Sequence, residues 1–475
     1  MKLILTILFL ASALTARSLP KIEREFRAAW IATVDNIDFP TKRTLTVEEQ
    51  KAELTASLEL AKDLRLNAVI FQVRPAADAV YASKIEPWSE FLTGQMGRPQ
   101  AFDPLAFIVE EAHKRGILVH AWFNPYRAYH PSGKTMSDGH VSKLKPAIVR
   151  QYGRYMWLDP TEPDAQKYSL SVIADVVRRY DIDGVHFDDY FYPYAEKDDK
   201  GNNIDFPDTA NWEKYKAGGG KMDRGDWRRS HVNKFIAAVG REVKRIKPHV
   251  MYGISPFGIW QPIPERDIKG FNAYAELYAD SRKWLQDGTV DYLAPQLYWE
   301  TGRPGLSFPV LLDWWKEQNT KRRHIWPGIA TYRIGSKPEF NAEMIASQIG
   351  VTRQDPLTSG GIHFSFRSLR NDLGGIQAKL RDAVYKRDAI IPASPWIKSK
   401  RLRSPMVTIR RDAEYIRATW PKVSGAFWYV VYAKDNDGWG YSIQPASQTT
   451  IALSVNRNID RILVKAIDRS GNESK

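Results

Sequence analysis

The sequence predicts an α/β fold, a (β/α)8 TIM barrel followed by a small all-β sandwich domain. Between residues 26 and 387, strongly apolar strand-like segments alternate with amphipathic helical segments. This alternation is typical of parallel strands joined by right-handed helical crossovers. Beyond residue 390 the helical pattern stops, and short β-type runs separated by turn residues follow. The length of 475 residues exceeds what one hydrophobic core usually supports, which also favours two domains.

Eight segments have the composition of buried strands, and eight strand–helix units fit a barrel with insertions. An open, doubly wound sheet is the alternative, but no G-x-G-x-x-G motif follows the first strand to support it. We expect the strands to begin near Arg27, Asn67, Ile117, Asp183, Val250, Val290, His324 and Gly361. The expected helices cover residues 47–64, 104–114, 165–179, 229–247, 277–286, 310–319, 342–353 and 376–387.

We expect the barrel to occupy residues 24–390 and the sandwich residues 396–475. Pro392, Pro395 and Pro405 give the intervening stretch the character of a linker. Five β-type runs follow, and the closing stretch 464–474 resembles the last strand of fibronectin type III domains. Such a module spaces or docks more often than it catalyses, and envelope proteins are the partners we expect for it.

Residues 1–16 have the pattern of a secretory signal peptide. A positive start is followed by the apolar stretch 3–10 and by small residues with a candidate cleavage site at 11–13; Ala16 is an alternative site. The segment is too short to span a bilayer as a mature helix, and no later stretch approaches eighteen apolar residues. The sequence therefore predicts an exported protein, periplasmic or extracellular, without a stable membrane span.

The amino-acid composition excludes some kinds of catalysis and favours some kinds of ligand. The absence of Cys excludes thiolate catalysis and Cys-based metal centres. The net charge of +14 attracts polyanions but does not choose among them, and no nucleic-acid-binding motif accompanies it. The chain holds 16 Trp, 22 Tyr and 19 Phe, which suit a cleft that stacks on sugar rings.

The fourth strand is the most informative segment, because side chains alternate along a strand. Val185 and Phe187 should pack against helices, so His186, Asp188 and Tyr190 should point into the barrel. Asp188 falls at the strand's carboxyl end, where barrel active sites lie. The alternative is a structural Asp188 that pairs with His186 or caps the next segment.

Other predicted strands also end in polar and aromatic side chains, which together describe a cleft for a polar ligand. Alternatively, Arg74 and Arg367 neutralise Asp188 and Asp189 structurally. The strand-six candidates are Gln296, Tyr298, Trp299 and Glu300. The remaining candidates for substrate binding are Gln72, Arg74, His120, Asn124, Tyr126, His186, Tyr190 and Arg367.

The Asp-Gly-x-x-x-Asp pattern of residues 183–188 resembles the strand-four signature of several retaining glycosidase barrels. Family 18 chitinases share it, together with a strand-six tyrosine like Tyr298, but their acid glutamate is replaced here by Tyr190 and a mid-motif Asp by His186. A closer resemblance is to glycosyl-hydrolase-like family 10 of bacterial envelope proteins. It covers about residues 25–390 through blocks at 26–30, 71–75, 122–126, 184–193, 226–229 and 294–299.

That resemblance implies a barrel glycosidase, and some relatives cut peptide-free peptidoglycan glycan strands. The fibronectin-like domain is also similar to architectures in that group. We therefore expect a polysaccharide substrate, with peptidoglycan first and no cofactor.

A glycosidase requires two carboxyl groups, one protonated and one ionised. We expect Asp188 to be the nucleophile or base, with Asp189 adjacent and Glu300 as the acid. One alternative is a non-catalytic glycan-binding or scaffold protein. Another is a metal-dependent polysaccharide deacetylase or hydrolase that uses His120, His186, His363 and Asp188, although these lack H-x-x-x-H-type spacing.

Overall fold

A parallel barrel sheet forms the body of the protein, as predicted. The computed structural model describes residues 19–474. The predicted signal peptide, residues 1–16, lies outside the described residues. Strands β1–β6 are Phe26–Ile31, Ala68–Arg74, Leu118–Phe123, Gly184–Phe187, Met251–Ile254 and Tyr292–Leu293. Strand β7 has two pieces, His324–Ile325 and Gly328–Ile329, and β8 is Gly360–His363.

The two pieces of β7 close the barrel. His324–Ile325 pairs with β6, whereas Gly328–Ile329 pairs with β8, and both pairings are parallel. Pro327 separates the pieces, because proline lacks the N–H that a central strand needs. The two ends of the nine-segment sheet are thus halves of one strand, and the predicted eight-stranded barrel is confirmed.

Helices follow the strands and cover the outside of the barrel. The first, α1, begins with a capping box in which the Thr46 hydroxyl and the Glu49 carboxylate bond each other's backbone N–H groups, and it buries Leu54, Leu58 and Ala61. Helices α1–α7 are Val47–Asp63, Pro104–Lys114, Pro163–Arg179, Arg224–Ile246, Ser281–Gln286, Phe308–Glu317 and Ala342–Thr352. The last predicted helix is shorter than expected and consists of Ile376–Ala378 and a wider turn at Lys379–Val384.

Shorter elements lie in the connections between the main strands. A three-stranded antiparallel sheet follows β3 and contains Arg127–Tyr129, Val149–Tyr152 and Tyr155–Leu158. Short helices occur at Glu90–Thr93, Val141–Leu144, Thr209–Ala217, Ala273–Glu276 and Phe366–Arg370. These connections widen the end of the barrel at which the parallel strands finish.

Two glycines make room for large side chains inside the barrel. A Cβ atom on Gly184 would come within 2.5 Å of the His120 ring, and one on Gly253 within 1.9 Å of the Tyr292 ring. The predicted alternation along β4 is confirmed: Val185 packs against the helices, while the opposite face turns inward. The barrel interior at this level is therefore filled by aromatic rings.

The C-terminal region forms two three-stranded antiparallel sheets. One contains β9 (Thr408–Arg411), β10 (Tyr415–Thr419) and β13 (Thr450–Ser454); the other contains β11 (Trp428–Asp435), β12 (Gly438–Pro445) and β14 (Arg461–Ile467). Side chains of both sheets share one apolar core, as in a sandwich. Strand β12 was not predicted, because its glycines and final proline weaken the strand pattern.

The second sheet docks on the amino-terminal end of the barrel. Trp428 and Val430 belong to the same apolar cluster as Phe26 at the start of β1. The Trp428 indole N–H donates to the Gly116 backbone oxygen (2.7 Å), and Arg469 pairs with Asp181 (2.6 Å). This end is opposite to the one where the strands finish, so the sandwich stands away from the carboxyl-terminal face. Between residues 19 and 474, no helix combines the length and apolar character needed to span a membrane.

Candidate active site

A cavity of about 400 Å³ opens at the carboxyl ends of the barrel strands. Asp188 and Asp189 follow β4 directly, and Gln296 follows β6. The volume lies within the range of small-molecule sites, and seven of the sixteen lining residues are aromatic. These rings are Trp30, Trp122, Tyr190, Tyr194, Tyr298, Tyr332 and Phe364.

Asp188 is held at the bottom of the cavity by N–H donors. Its Oδ2 atom accepts from Trp122 Nε1 (3.1 Å) and Asn124 Nδ2 (2.5 Å). Its Oδ1 atom accepts a longer bond from the Tyr190 backbone N–H (3.4 Å). Because N–H groups can only donate, Oδ2 remains an acceptor, and a proton bound to this carboxyl group resides on Oδ1.

Burial raises the pKa of Asp188 to about 7, and the neighbouring charge of Asp189 acts in the same direction, whereas Arg127 opposes it. Burial also raises the pKa of Asp189, although hydrogen bonds from Tyr194 and Gln296 oppose that shift. Two adjacent carboxyl groups of this kind titrate as a pair. Near neutral pH the pair therefore retains a proton, which is the condition for acid catalysis by one member beside an ionised partner.

A buried chain of amides orients the donor to Asp188. Gln72 Oε1 accepts from the backbone N–H groups of Thr33 (2.8 Å) and Val34 (2.9 Å). Gln72 Nε2 is therefore the donor to Asn124 Oδ1 (2.7 Å), which leaves Asn124 Nδ2 to donate to Asp188. The turn after β1 thus fixes a group that contacts the carboxyl pair after β4.

Comparisons with known proteins identify the family to which the chain belongs. Residues 25–346 match the family model described as Glycosyl hydrolase-like 10. The chain belongs to this family. Glycosyl hydrolase YngK of Bacillus subtilis is 40% identical over 398 residues, which cover 81% of this chain and 77% of the relative. Glycosyl hydrolase DigH of Escherichia coli K12 is 36% identical over 344 residues, which cover 67% of this chain and 75% of the relative.

A solved structure supports the fold independently. The endo-1,4-beta-mannanase from Rhizomucor miehei superimposes with a TM-score of 0.50 at 12% identity, covering 78% of this chain and 97% of the mannanase. At this identity the likeness concerns the barrel fold alone. Family membership and the relatives named glycosyl hydrolases make this protein an enzyme of the glycoside hydrolase type.

In this glycosidase, five of the predicted site residues line the cavity. They are Asp188, Asp189, Tyr190, Gln296 and Tyr298. The Tyr194 hydroxyl donates a short hydrogen bond to Asp189 Oδ2, and the Gln296 amide donates to the Ser255 backbone oxygen (3.2 Å). The two strand ends predicted to converge, those of β4 and β6, therefore do converge.

Other predicted substrate-binding residues lie beneath the cavity and support it. Gln72, Asn124 and Arg74 are fully buried, and Arg74 pairs with Glu86 (2.6 Å) while donating to the Asn124 backbone oxygen (2.6 Å). Arg74 thus has the structural, charge-neutralising role that was the alternative to substrate binding, but its partner is Glu86 and not Asp188 or Asp189.

Three further placements differ from prediction because the chain turns immediately after the strand. Tyr126 is buried against Phe235 on the helical side of the barrel. Trp299 packs on Phe257, outside the cavity lining. Arg367 begins a short helix and binds the Asp38 carboxylate through its backbone N–H (2.6 Å), while its side chain is exposed.

The structure does not bring Glu300 into the catalytic cavity. Strand β6 ends at Leu293, so the alternation that was extrapolated to residue 300 stops there. Glu300 lines a different cavity and lies 3.5 Å from Lys337 and 3.6 Å from Arg303. Burial raises its pKa, but a backbone hydrogen bond and these two cations outweigh burial and lower the pKa overall. Glu300 therefore lines a separate cavity and is not held protonated, which contradicts the prediction that it is the acid.

The histidines proposed for a metal-dependent reaction do not form a common ligand set. His120 and His186 each form a hydrogen bond with the Tyr292 hydroxyl (2.8 Å) inside the barrel. His363 instead forms a hydrogen bond with the Thr331 hydroxyl (2.7 Å). Among residues 19–474, no three His, Asp or Glu side chains are arranged to hold a metal ion. The observed positions of these histidines give the metal-dependent alternative no ligand set.

Several cavity residues were missed by the sequence analysis. Trp30 and Arg127 belong to segments that were read only as strand ends or as part of a motif block. Tyr194 and Phe364 come from loops and Tyr332 from a short helical turn, where strand alternation gives no signal.

Proposed function

We propose that this protein is an exported glycosidase that cleaves O-glycosidic bonds of peptide-free peptidoglycan glycan strands. The observation that carries the proposal is the pair Asp188 and Asp189, buried together in an aromatic cavity at the carboxyl-terminal face of the barrel. Glycoside hydrolysis requires such a pair, and barrel enzymes place their reacting groups at this face.

In the proposed mechanism, Asp188 gives the proton on Oδ1 to the departing glycosidic oxygen. Its two N–H donors hold Oδ2 and receive the negative charge that remains after the proton leaves. Asp189, ionised at that stage, stabilises the positive charge at the anomeric carbon as nucleophile or as base toward water. This reverses the expected role of Asp188, because the acid predicted at Glu300 lies elsewhere.

Three observations support a glycan of the envelope as substrate. The aromatic walls offer faces on which sugar rings stack. The net charge of +14 attracts an acidic polymer through ordinary surface electrostatics. The signal-like sequence of residues 1–16 supports export to the periplasm or beyond.

The C-terminal sandwich enters the proposal as a fibronectin type III-like module. Its second sheet is occupied by the barrel, so an envelope-protein partner would have to use the first sheet, whose strand β9 is exposed along its length.

The test incubates the protein with peptide-free glycan strands, chitin oligomers and acidic polysaccharides, and identifies the products by mass. Disaccharide-sized fragments from the peptide-free strands, absent with the Asp188→Asn variant, are the expected result. Cleavage restricted to a neutral or uronic acid polymer would contradict the substrate and leave the glycosidase assignment in place.

A further inference from the structure

Arg127 is a buried cation in the cavity wall. It is 3% exposed and lines the same cavity as Asp188. Its Nε atom donates to the Pro75 backbone oxygen (2.8 Å), and its guanidinium group lies over the Tyr190 ring, 5.0 Å from the ring centre. The backbone contact and the ring together fix the plane of the guanidinium group.

This guanidinium group lacks an ion-pair partner. Among residues 19–474, no carboxylate oxygen lies within 4.0 Å of it, although each of the three other buried arginines has one: Arg27 pairs with Glu25, Arg74 with Glu86 and Arg228 with Asp208. A buried charge without a partner is strongly unfavourable. The fold therefore keeps a cation at the cavity wall with no carboxylate in direct contact, and Asp188 and Asp189 interact with it only at longer range.

Arg127 is the only permanently charged cation in the described lining of this cavity. Its lining contains one other basic side chain, His130. Burial, and next the charge of Arg127, lower the pKa of His130 to about 4, so this imidazole is neutral under ordinary conditions. The walls otherwise consist of aromatic, aliphatic, acidic and neutral polar side chains.

We propose that Arg127 binds a carboxylate carried by the substrate sugar that occupies the cavity beside Asp188. The inference rests on the proposed glycosidase function and assigns the substrate class: a glycan whose ring bears a carboxylate. A guanidinium group binds a carboxylate through two parallel N–H donors, which also orients the sugar. An ether-linked lactyl group and a ring carboxylate (uronic acid) share this chemistry.

Arg127 also lies near enough to Asp188 and Asp189 to lower the pKa of both. A purely electrostatic role would affect every substrate alike, whereas carboxylate binding affects only acidic ones. The ratio of activities on matched acidic and neutral substrates therefore separates the two roles.

The experiment compares kcat/KM on peptide-free glycan strands and on the same strands after amidation of their lactyl carboxylates; oligouronates form a third arm. Wild type should prefer the acidic strands by about 10- to 100-fold, the range of a charged hydrogen bond. Arg127→Met should abolish this preference, and Arg127→Lys should keep part of it as a point charge. Arg241→Met, an exposed substitution on α4, is the matched control and should leave the ratio unchanged.

Titration calorimetry on the folded variants repeats the comparison without catalysis, with acidic and amidated fragments as ligands. Wild type should bind the acidic fragments more tightly than the amidated ones, and Arg127→Met should remove this preference. That result supports the inference even if the protein cleaves none of the substrates; only the glycosidase proposal would then be wrong. Equal loss on acidic and amidated substrates with Arg127→Met, or no preference in wild type, would overturn the inference. Preference for oligouronates over lactyl-bearing strands would keep the carboxylate site and change the sugar.

Discussion

Asn124 Nδ2 lies 2.5 Å from Oδ2 of Asp188, and this contact connects two strand ends that are separated by 64 residues. The amide cannot turn over without cost, because Gln72 Nε2 donates to its oxygen. Neither Gln72 nor Asn124 lines the cavity. The orientation of Asp188 therefore depends partly on residues that lie outside the cavity lining.

Asn124→Ala should lower kcat by about 100-fold with little change in KM, because a misplaced reacting group loses rate while the cavity walls remain. Steady-state kinetics on glycan strands measures both constants. Asn202→Ala, an exposed loop substitution, is the control. A rise in KM with unchanged kcat would instead assign Asn124 to substrate binding.

The pH profile should report the carboxyl pair. If Asp188 acts as the acid, activity is present below its pKa and declines as the pH rises through about 7. Removing the Asp189 charge should lower the pKa of Asp188, since that charge raises it. Carbon-13 NMR of the aspartate carboxyl groups in wild type and Asp189→Asn would follow this titration directly. An Asp188 resonance that titrates near pH 4 in wild type would contradict the assignment.

The free energy of unfolding should also depend on the titration of Asp188. Asp188 has a folded pKa near 7 and an ordinary value of 3.8, so the folded state binds a proton between these values that the unfolded state releases. The free energy of unfolding of wild type should therefore fall, relative to Asp188→Asn, as the pH rises from about 4 to about 7. Urea denaturation at several pH values measures the difference, which should be constant above pH 8.

The sequence predicted the barrel well because every strand is short, apolar and followed by a helix with clear periodicity. It predicted Asp188 because alternation holds as far as Phe187, the last residue of β4. It failed at Glu300 because β6 has only two residues, and extrapolated alternation loses meaning where the backbone leaves the sheet. Arg127 was passed over because an unpaired buried cation is recognisable only once the position of every carboxylate is known.

Glu300→Gln should retain wild-type kcat/KM, because Glu300 lies in a separate cavity beside Lys337 and Arg303.

Asp188→Asn should lose about a thousandfold or more in kcat on glycan strands, with the fold intact by circular dichroism. An aryl glycoside with an acidic leaving group needs little protonation, so the Asp188→Asn defect should be smaller on it. A comparable loss in Glu300→Gln would restore Glu300 as a catalytic candidate.

Tyr332→Ala should raise KM by about tenfold with a smaller change in kcat. Tyr332 is 48% exposed at the cavity rim and contacts Phe364 edge-on at 5.7 Å between ring centres. An exposed aromatic ring at a sugar site contributes stacking area in the bound complex, at about 1 kcal/mol per ring contact. Tyr332→Phe keeps the ring and should retain wild-type KM. A KM raised equally in both variants would point to the hydroxyl group instead.

The sandwich domain should stabilise the barrel without taking part in catalysis. Trp428 is buried against the amino-terminal end of the barrel and donates to the Gly116 backbone oxygen (2.7 Å), whereas the catalytic cavity opens at the other end. Trp428→Ala should therefore lower the free energy of unfolding by about 3–5 kcal/mol, the usual effect of deleting a large buried aromatic side chain. At temperatures where the variant stays folded, kcat/KM should equal that of wild type. Met406→Ala, which removes a side chain that is 83% exposed in the same domain, should change neither quantity. Loss of activity in folded Trp428→Ala would show that the sandwich influences the active site through the barrel.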